Sequence, residues 1–339
     1  MRGFGVVLSL LAAMGSGGAW AQTVPDGLAA MEARLTVAPG YSGVFGLTKA
    51  GQVETAATAG HTPDEVWRWA SVSKMVTAIL VFQQIDDGTM GLDAPVAIYL
   101  PGPSVPNADR ITVRQLLAHR SGLAAQSDLP GGRPGNLLQY CQGTAAEPGS
   151  NFLYNNCDTI VLGAVLEAVT GRSYLDLVNS RIGTPLGLRL GLPDEPRVEA
   201  VMQDGSAEPP VWPSGFGAAG GLYGTVSDLL AIDAALIGGQ LISAASLTTM
   251  LTGDPASGYA ALSVWSYSPN LGACLGQTRL VERYGEIGGV QVRNFLLPDR
   301  DLALAVYSND RRTEFGEVWR GEGLSIDLIR AAACGNDDL

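Results

Sequence analysis

Ser71 and Lys74 stand three residues apart at the head of an apolar segment with helical periodicity. Residues three apart on a helix share a face, so the lysine amine can reach the serine hydroxyl. Unpaired N–H groups and the positive end of a helix start favour negative charge developing there. A buried lysine can lose its proton and serve as a base, which an arginine cannot. Lys and Arg together number 21, yet only Lys49 and Lys74 are lysines. That scarcity favours a chemical role for Lys74. Read alone, the pair also fits a helix-capping serine beside a solvated lysine, since a two-residue motif is weakly specific.

Val72, Met75, Val76, Ile79, Leu80, Phe82 and Ile85 predict a helix running from Trp69 to a stop at Gly88. Upstream, alternating runs at 42–48 and 52–58 flank Lys49-Ala50-Gly51 and read as a hairpin. Further helices are expected at 113–118, 158–170, 174–181, 226–237, 244–251 and 324–333, and strands at 279–284, 290–297 and 302–307. Pro and Gly clusters at 101–106 and 130–135 mark surface loops. Strands near both ends with helices between predict an α/β (α+β) fold: one antiparallel sheet flanked by helices, with a mainly helical lobe inserted. The expected division is a sheet lobe from 22–70 and 210–339 and a helical lobe from 71–209. The Ser71 helix then lies at the seam, where small-molecule clefts form most often.

The formal charge of −12 over 339 residues, without a basic stripe, argues against a nucleic-acid partner. Residues 1–21 carry Arg2, an apolar run from Phe4 to Met14 and small residues ending at Ala21, the pattern of a secretory signal peptide. No later segment has the length to span a bilayer, so no stable membrane insertion is expected after cleavage and the place of work is periplasmic or extracellular. Such a compartment permits disulfides. Cys141 with Cys157 and Cys274 with Cys334 is the pairing that sequence proximity favours, with other connectivities and free thiols left open. No cysteine spacing suggests zinc, and no metal or other cofactor is implied.

Four segments, Trp69-Ala70-Ser71-Val72-Ser73-Lys74, Ile111 to Leu123, Tyr154-Asn155-Asn156 and Ala219 to Thr225, occur in order and at approximate spacings that resemble the penicillin-recognising serine hydrolases. The likeness is to the branch of class C β-lactamases, D-alanyl-D-alanine carboxypeptidases and related esterases, and it runs from about residue 40 to about residue 310. It implies a Ser71 nucleophile acylated by an ester, amide or lactam carbonyl and released by water, with a small molecule or short peptide as substrate. By the same resemblance Lys74 assists deprotonation, Tyr154 shuttles the proton and Asn156 positions lysine and substrate. Taken alone, Tyr154 reads as an ordinary aromatic and Asn156 as a helix cap. The oxyanion hole is expected from the Ser71 N–H and one near Gly289 or Val290, with Gly288 and Gly289 allowing close approach.

One departure stands out. Where the family carries a cation, as Lys-Thr-Gly or His-x-Gly, the aligned stretch is Tyr284-Gly285-Glu286-Ile287-Gly288-Gly289. Glu286 is thus expected to line the substrate site and repel carboxylates, with Arg293 a candidate for the missing charge. A Ser-His-Asp triad has little support: His61 falls in a polar loop, and His119, in Leu-Leu-Ala-His-Arg-Ser-Gly-Leu, reads as a satisfied structural histidine. The alternative to an enzyme is an inactive homologue that binds cell-wall fragments or a protein partner.

Overall fold

The computed structural model describes residues 27–58, 60–102, 104–126, 135–191 and 198–335. The signal-peptide expectation at 1–21 and most of the loop expected at 130–135 lie outside these residues. The chain enters through helix α1 (Gly27–Val37) and the hairpin β1 (Gly43–Lys49) and β2 (Gln52–Ala57). The short strand β3 (Trp67–Arg68) leads to a single 3-10 turn, Ala70–Val72, and then to α2 (Ser73–Asp86). Helices α3 (Val113–Leu117), α4 (Cys157–Thr170), α5 (Tyr174–Val178) and α6 (Thr184–Leu186) follow. Beyond β4 (Tyr223–Gly224), which pairs with β3, come α7 (Val226–Ile237) and α8 (Ala244–Met250). Strands β5 (Trp265–Tyr267), β6 (Leu280–Ile287), β7 (Val290–Leu297) and β8 (Leu302–Ser308) precede the closing helix α9 (Leu324–Cys334).

The main sheet is antiparallel throughout, in the order β2-β1-β8-β7-β6-β5. The N-terminal hairpin closes onto the last strand, so the two ends of the chain share one sheet, as expected of an α+β fold with an insertion. Both faces are covered, so β8 at the centre is buried throughout and reads as an apolar run up to Tyr307, while β6 and β7 also carry charged and amide side chains. In β8 the side chains alternate by size: Leu302, Leu304 and Val306 face the core with α1 and α9, while Ala303 and Ala305 join the larger core shared with α2, α4 and α7. The same alternation in β6 decides which residues reach the Ser71 segment.

Both disulfides expected from proximity are formed. Cys141–Cys157 ties the loop before α4 to its first residue, and Cys274–Cys334 ties the last residue of α9 to the loop before β6. Among the described residues, no helix is long and apolar enough to cross a membrane.

Candidate active site

Ser71 lies at the head of the helical segment, as its apolar spacing suggests, on the 3-10 turn just before α2. The preceding Ala70 is held at a φ of 46°, in the left-handed region that a residue with a Cβ adopts only where its surroundings force it. This sharp entry turns the half-buried Ser71 hydroxyl outward from the seam while Lys74, one turn on, is fully buried.

Lys74 Nζ donates to Ser71 Oγ at 3.1 Å, to Asn156 Oδ1 at 2.8 Å and to the Ala219 carbonyl at 2.7 Å. Asn156 does occupy the N-cap position of α4, but its side chain makes no capping bond and turns to Lys74. The segment beginning at Ala219, one of the four that carry the resemblance, thus supplies a backbone acceptor for the lysine. Burial lowers the Lys74 pKa to about 8, against the opposing pull of Tyr154.

Tyr154 Oη donates to Ser71 Oγ at 2.8 Å. Its ring is clasped by cations, with Lys74 Nζ 5.1 Å and the Arg283 guanidinium 5.3 Å from the centroid. Burial of the hydroxyl would raise its pKa, but the charges of Arg283 and Lys74 outweigh it and bring Tyr154 down to about 7.

Arg283 is the functional candidate that the sequence reading missed. On β6, it donates from Nη2 to Tyr154 Oη at 2.7 Å and from Nε to the Ser71 carbonyl at 2.8 Å. Gly285, two residues on, lies on the same face, and a Cβ there would come within 2.8 Å of the Ser71 nitrogen and 2.3 Å of the Trp69 carbonyl. The basic residue and the close-approach glycine are therefore Arg283-Tyr284-Gly285. A cation two places before a glycine was the available signal.

The placement expected for Glu286 is corrected by strand alternation. Arg283 and Gly285 face the Ser71 segment, so Tyr284 and Glu286 face the opposite side of the sheet. There Glu286 pairs with Arg311 at 2.6 Å and Arg293 at 3.1 Å, and neither carboxylate nor arginines join the polar contacts around Ser71. Arg293 is consequently not the missing cation. Gly288 and Gly289 form the two-residue turn between β6 and β7, with a φ of 58° at Gly288. The Gly289 N–H is spent on Glu208 at 2.7 Å, and Glu208 also bonds Arg68. Val290 is buried opposite Ile287. None of these three lies in the hydrogen-bonded cluster.

His119 is buried behind Tyr154, ring centroids 4.6 Å apart, with Nδ1 3.4 Å from Asp158 Oδ2. Among the described residues neither ring nitrogen meets hydrogen-bond geometry, so the histidine is buried as a structural one would be, with the Asp158 contact in place of the hydrogen bonds expected of it. Burial first, then the charges of Arg283 and Lys74, hold it well below the ordinary histidine range. Burial also raises Asp158 to about 8, although Ser121 donates to it. His61 bonds Glu65 and Ser42, away from this cluster.

The Beta-lactamase family model matches residues 28–325 of the chain. Penicillin-binding protein 4 of Amycolatopsis lactamdurans is 37% identical over 145 residues, which cover 40% of this chain and 38% of that protein. The D-alanyl-D-alanine-carboxypeptidase/endopeptidase AmpH of Escherichia coli (strain K12) is 30% identical over 187 residues, 49% of this chain and 48% of that one. Each match spans less than half of the curated relative's own length. A solved D-stereospecific amidohydrolase from Streptomyces sp. superposes with a TM-score of 0.75 at 26% identity, over 92% of this chain and 100% of that one.

Proposed function

The chain belongs to the Beta-lactamase family, and on that premise we propose that it is a serine hydrolase working through an acyl-Ser71 intermediate. The observation that carries this reading is the convergence of Lys74 Nζ and Tyr154 Oη on Ser71 Oγ, at 3.1 and 2.8 Å.

Tyr154, with the lowered pKa, takes the Ser71 proton as Oγ attacks the carbonyl carbon. Lys74 and Arg283 hold the phenolate charge and fix its position. A two-residue turn makes Ile287 and Val290 the closing hydrogen-bonded pair, so alternation sends the Glu286 N–H off β7, toward the Ser71 segment. That N–H and the one on Ser71 stabilise the oxyanion, which moves the second donor from the Gly289 or Val290 region to Glu286. When the carbon–leaving group bond breaks, Tyr154 returns the proton to the departing nitrogen or oxygen. Water then attacks the acyl carbon, gives its proton to Tyr154, and Ser71 leaves as the alcohol.

The substrate class is an ester, amide or lactam of a small molecule or short peptide. The likeness to a D-alanyl-D-alanine-carboxypeptidase and to a D-stereospecific amidohydrolase supports an amide bearing a D-amino acid. Arg283 beside Tyr154 removes the objection that a carboxylate lines the site, so penicillin is a reasonable acylating agent. We place the enzyme outside the cytoplasm, a reading supported by the 1–21 pattern and by two disulfides. The lobe division at 22–70 with 210–339 and 71–209 puts Ser71 at the junction of the two.

Intact-mass measurement after brief exposure to a fluorophosphonate, a p-nitrophenyl ester and a penicillin tests this, with Ser71→Ala in parallel. Adducts or turnover that disappear in Ser71→Ala are expected; no adduct from any reagent would leave a binding protein.

A further inference from the structure

A cavity of about 450 Å³ opens at the β5–β6 edge of the sheet. Its walls are the rings of Tyr259, Trp265, Tyr267, Tyr284 and Trp319, joined by two carboxylates, Glu282 and Glu317. Trp265 stacks on Tyr284 at 5.5 Å and 12°, while Tyr259 and Tyr267 meet at 6.1 Å. No lysine, arginine or amide side chain is among its lining residues, although Arg320 lies 5.0 Å from the Trp319 centroid and Arg293 5.0 Å from the Tyr284 centroid.

Glu282 is only 7% exposed. Its Oε1 accepts from the Tyr267 hydroxyl at 3.0 Å, and among the described residues its Oε2 has no hydrogen-bond partner. Neither Glu282 nor Glu317 forms an ion pair among the described residues, in contrast to Glu286 one turn of the pleat away, which has two arginines. Burial, reinforced by Glu317, raises Glu282 to about 7. Arg293 acts on Glu282 only through space, without an ion pair among the described residues, so a largely buried carboxylate ringed by aromatic faces still has room for the closer charge that an organic cation would supply.

We propose that this cavity is a binding subsite for an organic ammonium group, held by the faces of Trp265 and Trp319 and by the carboxylates of Glu282 and Glu317. Its inner wall, Trp265, is shared with the Ser71 cluster: the indole lies 6.3 Å from the Tyr154 ring, with the Arg283 guanidinium 5.2 Å from its centroid. A ligand with its ammonium here therefore lies next to the reaction centre. This identifies the preferred hydrolase substrates as carrying a cationic amine, a clause that rests on the hydrolase reading; the binding itself does not.

Tryptophan-fluorescence titration of full-length Ser71→Ala with choline and with its uncharged isostere 3,3-dimethylbutan-1-ol tests the site without turnover. Choline is expected to bind at least about tenfold tighter. Glu317→Gln and Trp319→Ala, at accessible positions, each weaken choline several-fold, and Glu282→Gln abolishes its binding. Equal binding of the two probes, no choline binding, preference for N-acetylglucosamine, or choline binding unchanged in Glu317→Gln and Trp319→Ala would each overturn the proposal. With the wild-type enzyme, choline acetate should be cleaved faster than 3,3-dimethylbutyl acetate, and Glu317→Gln should erase that preference. If neither ester is cleaved while choline still binds Ser71→Ala, the hydrolase reading fails and the subsite stands.

Discussion

The Arg283 guanidinium donates to the Tyr154 hydroxyl at 2.7 Å, so a cation from β6 and a phenol from the segment before α4 meet directly over Ser71. Since Arg283 is the larger of the two charges lowering Tyr154 to about 7, the fraction of phenolate at neutral pH depends on it. A base works deprotonated, so kcat/KM is expected to rise as pH increases through about 7. Arg283→Ala leaves only Lys74 to hold the phenolate, which raises the Tyr154 pKa and moves that limb to higher pH. At pH 7 the variant should lose at least about tenfold in rate and recover part of it at pH 9. A pH–rate profile with an unmoved limb would exclude Tyr154 as the titrating base.

Gly285 has a different duty, which is to leave room. Its missing Cβ would meet the Ser71 nitrogen at 2.8 Å and the Trp69 carbonyl at 2.3 Å, both backbone atoms that cannot rotate aside. Gly285→Ala should therefore push β6 away from the Ser71 turn and open the oxyanion donors. The expected loss in acylation is on the order of a hundredfold. Fluorophosphonate labelling rate reads this, with near-ultraviolet circular dichroism to show that the chain still folds; labelling at the wild-type rate would separate β6 from the oxyanion hole.

Part of this site is legible in the sequence. The spacing of Ser71 and Lys74 carries their geometry, Tyr154 and Asn156 enter only through the resemblance to a family, and the helices announce themselves by apolar period. What failed was register. A strand flips every side chain when read one residue out of step, so assigning Glu286 to the cleft turned Arg283 away from it. Ala70 at a positive φ was equally illegible, because alanine gives no local signal for that conformation and the surrounding packing imposes it. The setting of His119, in the turn after α3, depends on Asp158, which approaches from α4, and single-sequence patterns do not report such contacts.

Cys157 is the first residue of α4, directly after Asn156, so its bond to Cys141 anchors the segment that carries Tyr154. The cysteines are 16 residues apart, a loop for which removing the cross-link costs about 3 kcal/mol. A Cys141→Ser, Cys157→Ser variant is expected to lose roughly that much in guanidinium unfolding and to acylate more slowly as Tyr154 loosens. Removing Cys274–Cys334 from the far layer should lower stability without slowing acylation of the protein that remains folded. Equal acylation defects in both variants would assign the first bond no role in the site.

Buried carboxyls set the pH dependence of stability. Asp233 on α7 is fully buried, accepts from Asn294 Nδ2 at 3.1 Å, and is raised by burial to about 8. In the unfolded chain it titrates near about 4. Between those values the unfolded state has released a proton that the folded state keeps, so stability is fully present below about 4 and is lost as pH rises through about 8. Asp158, raised to about 8 in the same way, adds a decline of the same sign. Asp233→Asn keeps an oxygen for Asn294 and removes one titration, so its melting temperature should fall less between pH 5 and pH 9 than the wild type's. The two proteins should differ little at pH 5 and most at pH 9. Parallel curves would mean that Asp233 is ionised at neutral pH, with a counter-charge reaching it in solution.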